Sequence, residues 1–148
     1  MKSAPKWVAI LLYIAGAVLL VGGASTWVTV SNQLSQERIT VTDDAPCMAG
    51  KPVNGPIDAY CMAEIITHHA NEATGGKTYS ELDREDPLRT VAMNASFLRS
   101  SLFTSVVAFG VAAFAMGIGV LSLLIGLAIS ALDKRTRTAA APEPLVSA

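Results

Sequence analysis

Apolar side chains are not dispersed along this chain; they gather in two long runs. "WVAILLYIAGAVLLVGGASTWVTV" covers 7–30 and "SLFTSVVAFGVAAFAMGIGVLSLLIGLAISAL" covers 101–132, and neither holds a charged residue. Both exceed the roughly 18–20 apolar residues that a bilayer-spanning helix needs. The pattern predicts transmembrane helices over 7–30 and 101–132, joined by a polar segment, 31–100. A short stretch, 1–6, precedes them, and a proline-containing tail, 133–148, without apolar period reads as disordered. Trp7 and Trp27 stand twenty positions apart. At about 1.5 Å per residue that is about 30 Å, the hydrocarbon thickness, so both read as membrane-interface residues. The first run is longer than the roughly 7–15 residues of a signal-peptide core and reads as an uncleaved anchor.

The joining segment has its own punctuation. Ile39 and Val41 alternate with Arg38, Thr40 and Thr42, a short strand pattern that stops at Asp43-Asp44-Ala45-Pro46. Pro56 suits the first turn of a helix, and Tyr60, Cys61, Ile65 and His68 follow helical spacing until Gly75-Gly76, which predicts a helix over 57–73. Thr78 and Glu81 have capping-box spacing and predict a short helix over 79–85. Asp86 and Pro87 then open another, 87–100, with Leu88, Val91, Ala95, Leu98 and Leu102 as an apolar stripe. Unbroken from Pro87 to Leu132, that helix would be about 69 Å long, more than twice the hydrocarbon thickness, so its first turns must project above the membrane. The expected fold is an all-α membrane protein: a two-helix transmembrane hairpin carrying a small, mostly helical loop domain.

Small residues recur inside both runs. Ala9, Gly16 and Gly23 are spaced by seven, as are Gly110 with Gly117 and Gly119 with Gly126. Small residues let helix backbones approach in lipid, where hydrophobic drive between helices is missing. These glycines are the expected helix-packing positions, within one chain or between copies.

Charge sets the orientation. Lys2 and Lys6 precede the first run, and Lys134, Arg135 and Arg137 follow the second, which places both termini in the cytoplasm. Residues 31–99 carry ten acidic and six basic side chains, a net −4, and face the other side. Arg84, Arg89 and Arg99 lie on that outer side, so the orientation rests mainly on the first helix. Cys47 and Cys61, with thirteen residues between them, are then expected to oxidise to a disulfide outside the cytoplasm. With a length of 148 residues the chain is one domain at most.

Candidate chemistry is sparse. Glu64, His68 and Glu72 sit at i, i+4 and i+8 on one face of the expected helix, with His69 beside them. Carboxylates and imidazole can hold iron, manganese or zinc. Eight residues of helix, however, span about 12 Å, too far for one ion to reach both glutamates. Any metal site would use His68 with Glu64 or Glu72 and ligands from elsewhere. "SELDRED" lacks the alternation of a calcium loop, and "NAS" at Asn94 has the form of a glycosylation sequon. Nucleophile elbow, phosphate-binding loop and basic patch for nucleic acid are all missing from the sequence. The spans carry no ionisable group of the kind that proton and ion pathways use.

At "ITVTDDA", "GKPVNGP", "EATGGKTYSELDREDPLR" and "NASFLRSSLFTSVVAFGVA" the chain resembles a group of small actinobacterial two-span membrane proteins that commonly carry the name "aromatic ring-opening dioxygenase LigA". The resemblance covers most of residues 8–132. Ring-opening enzymes of that name are soluble and hold iron with two histidines and a carboxylate. His68 and His69 are the only histidines here, and neighbours on a helix point about 100° apart. The resemblance therefore implies kinship with the membrane group without the enzymatic activity. The expectation is a non-catalytic, membrane-anchored envelope protein without cofactor, an accessory or assembly subunit whose partners are the bilayer and other membrane proteins or copies of itself. The alternative is a metal-binding or metal-dependent enzyme built on His68.

Overall fold

Three helices account for the regular structure of residues 4–139, the part of the chain that the computed structural model describes: α1 (Ala4–Gln36), α2 (Pro56–Thr74) and α3 (Leu88–Ala139). Among the described residues no strand forms. Two of the helices are long and apolar enough to cross a membrane, over Pro5–Gln36 and Leu88–Thr136. The chain divides into two compact units, one formed by the chain up to Ala24 and from Phe114 onward, the other by Ser25–Ala113.

The first unit is built on close backbone contact. A Cβ placed on Gly16 would meet the Gly119 carbonyl oxygen at 2.8 Å, and one on Gly119 would meet that of Gly16 at 2.9 Å. Further along, a Cβ on Gly126 would lie 3.0 Å from the Tyr13 ring. Ala9, Gly16 and Gly23 are all buried, which puts a seven-residue stripe of α1 against its neighbour. Tyr13 and Ser130 hydroxyls are 3.2 Å apart, a polar link between the two helices.

The second unit has a small core. Val41, Val53, Ala59, Cys61 and Ala63 are packed with Leu34 of α1 and with Leu102 and Phe109 of α3. Burying a side chain such as Val41 or Val53 stabilises the fold by about 1.5–3 kcal/mol. Trp27 meets Phe109 edge to face, with ring centroids 4.7 Å apart. The beginning of the second apolar run, Ser101–Phe109, is thus partly lined by protein.

Local chemistry explains the element ends. α1 stops where Arg38 takes a left-handed conformation, φ 53°. The strand pattern at Ile39–Val41 yields only an isolated antiparallel bridge, Thr40 to Pro52, flanked by Val41 N–H to Lys51 C=O and Val53 N–H to Ile39 C=O, both 2.9 Å. The turn at Met48–Gly50 leaves no room for a longer ladder, since both residues have positive φ. At α2, Gly55 has no side chain to cap the helix, so the Asp58 carboxylate reaches back to the N–H groups of Asn54 and Gly55 at 2.8 and 2.9 Å. Its far end closes on Gly75 at φ 64°, with Gly76 N–H donating to Asn71 C=O at 2.7 Å.

Two expected elements differ. Residues 79–85 form turns, not a helix. Glu81 accepts from both the N–H and the hydroxyl of Thr78 at 2.8 Å, but the chain turns again at Asp83–Asp86 instead of continuing into a helix. And α3 runs through Ala139, so residues 133–139 of the expected tail are helical. The rest of that tail, with residues 1–3, lies outside the described residues.

Candidate functional site

The only titratable cluster that the sequence suggested as a site lies on α2, and the structure rearranges it. His68 Nε2 lies 3.2 Å from a Glu72 oxygen one turn on, both side chains well exposed. Glu64 is half-buried one turn earlier. His69 turns to a different partner, placing its Nε2 2.5 Å from Asp44 Oδ2. The two imidazole centroids are 6.2 Å apart, as expected of successive positions on a helix.

Asp44 was not legible as part of this site. Separated from His69 by twenty-five positions, it is brought over α2 by the loop that Cys47 anchors. Its carboxyl is held below the usual range by the Thr42 hydroxyl, and next by the bond to His69. Together Asp44, Pro46, Glu64, Ile65 and His68 line an open cleft of about 340 Å³. Among the described residues, no three His, Cys, Asp or Glu side chains are grouped so that they could hold a metal ion. Each histidine instead faces a carboxylate of its own.

The disulfide Cys47–Cys61 lies beside this cleft, with the Cα atoms 5.7 Å apart. Cys61 is fully buried on the inner face of α2, and the bond ties the loop to the second turn of that helix. A second polar groove, about 130 Å³, runs along the far end of α2 toward α3, with Lys77 and Arg99 on its walls. Its threonine and serine hydroxyls at 67, 74 and 96 already donate to carbonyls one turn back in their own helices.

The other singled-out positions separate into two groups. Gly16, Gly119 and Gly126 are in tight helix contact, and Gly23 is buried. Gly110 and Gly117 have nothing within 4 Å of an added Cβ among the described residues. Trp7 is 64% exposed, whereas Trp27 is half-buried against Phe109. Compared with known protein families, with characterised proteins and with solved structures, the chain shows no significant match to any.

Proposed function

We propose that this chain is a non-catalytic, two-span membrane protein. In this reading it presents a disulfide-closed loop domain outside the cytoplasm, as an accessory or assembly subunit of a larger membrane complex. The spans would be most of α1 and the part of α3 beyond Phe109. Gly110–Leu132 is 23 residues, about 34 Å of helix, close to one hydrocarbon thickness. The positive ends at Lys6 and Lys134 support a cytoplasmic placement of both termini. A disulfide in the intervening unit supports an oxidising compartment for the loop.

One observation carries the subunit reading. On the stretch of α3 before the apolar run, Leu88, Val91, Phe97 and Leu98 are 36–65% exposed, so among the described residues nothing covers these apolar side chains, although Leu102 further along is buried. In a segment that would stand in water, apolar exposure of this kind favours a protein partner. Kinship with the small actinobacterial two-span group fits the same architecture. Crosslinking in native membranes followed by mass spectrometry tests the reading. Crosslinks from residues 88–98 to a second protein or a second copy are expected, and recovery of only the lone chain would contradict it.

A further inference from the structure

The N-terminal end of α1 and the C-terminal part of α3 form a cleft. It measures about 300 Å³, and its lining joins apolar Pro5, Ala9 and Ile10 to Lys6 and Lys134 and to the linked hydroxyls of Tyr13 and Ser130. Ile10 is 44% exposed, and both lysines are exposed as well. Here two lysines, one from each helix, share a cleft with apolar side chains and a pair of hydroxyls.

We propose that this cleft binds the headgroup of an anionic phospholipid of the cytoplasmic leaflet. Ammonium groups from two helices suit a phosphodiester, which carries one negative charge and oxygens that accept hydrogen bonds. The exposed Ile10 and Pro5 suit the glycerol and upper acyl carbons that follow the phosphate, which an inorganic anion lacks. Because the hydroxyls of Tyr13 and Ser130 bridge the helices, an occupied cleft would fasten α1 to α3 at this end. The inference rests on the reading that both helices span a bilayer.

The full chain in nanodiscs of phosphatidylcholine and phosphatidylglycerol, released into native mass spectrometry, tests it. The expected result is retention of phosphatidylglycerol in preference to phosphatidylcholine. Lys134→Gln should lower that preference about fivefold, and adding Lys6→Gln should lower it again by a similar factor. Arg135→Gln, which removes the neighbouring charge outside the cleft, should leave it unchanged. Raising the salt concentration on the unaltered chain should weaken the preference, which keeps the test independent of how the variants fold. Equal retention of the two lipids, or a preference that survives the double substitution, would overturn the site alone. Failure of the chain to enter nanodiscs of either lipid would overturn the bilayer reading and the site with it.

Discussion

Asp58 carries the sharpest residue-scale consequence. It is only 6% exposed, and among the described residues no cation pairs with it; backbone N–H groups of Asn54, Gly55 and Ala59 donate to it instead. Asp58→Ala would strand these donors at the start of α2 and should cost about 1–2 kcal/mol, read as a lower melting temperature in detergent. Asp58→Asn, which keeps one acceptor, should cost less. The acid response of the loop follows from two other carboxylates. Asp44 is held below its ordinary 3.8 by the Thr42 hydroxyl and then His69, and Glu81 below 4.5 by the N–H and hydroxyl of Thr78. Each binds protons less readily folded than unfolded, so its contribution is present above the ordinary value and disappears as pH falls through the lowered one. Protection of the Thr78 amide, its exchange rate relative to the intrinsic rate at the same pH, should therefore be the same at pH 7 and pH 5.5 and weaker at pH 3. Protection already weakened at pH 5.5 would show that Glu81 is not held down.

The contact of α1 with α3 is decided by which glycines face inward. With the Gly16 carbonyl 2.9 Å from an added Cβ, Gly119→Ala must push two backbones apart and should cost about 1–3 kcal/mol. Gly117→Ala meets nothing within 4 Å and, on a helix, should be neutral or slightly stabilising. Thermal unfolding of the two variants in one detergent separates them. The spacing by seven was visible in the sequence, but the facing was not. Gly110 and Gly119 are nine positions apart, about 180° around a helix, so the two glycine pairs occupy opposite sides and spacing alone cannot choose. The ends of α2 were legible because Pro56 and Gly75-Gly76 act locally. The expected helix over 79–85 failed because the turn that Thr78 and Glu81 close is followed at once by another at Asp83–Asp86, which local capping signals do not foretell. Asp44 escaped notice because its partner is remote in the chain. For the loop itself, reducing the Cys47–Cys61 bond should cost about 3 kcal/mol and open residues 38–55 to protease before α1 or α3 is cut.

At the scale of the whole molecule, hydropathy alone overstates the membrane. Ser101–Phe109 reads as lipid-facing, yet Leu102 and Phe109 are 3% and 1% exposed because the disulfide-closed loop and α1 lie on them. Apolar composition records burial, and does not record whether lipid or protein does the burying. The proposed topology therefore turns on where the loop resides, and the two cysteines report it directly. Intact cells are treated with a membrane-impermeant maleimide, with and without prior exposure to an impermeant reductant, and the chain is then weighed by mass spectrometry. Two labels after reduction and none before it are predicted, because both thiols are bonded and outside. Labelling without reductant, or labelling that appears only after the cells are lysed, would contradict it.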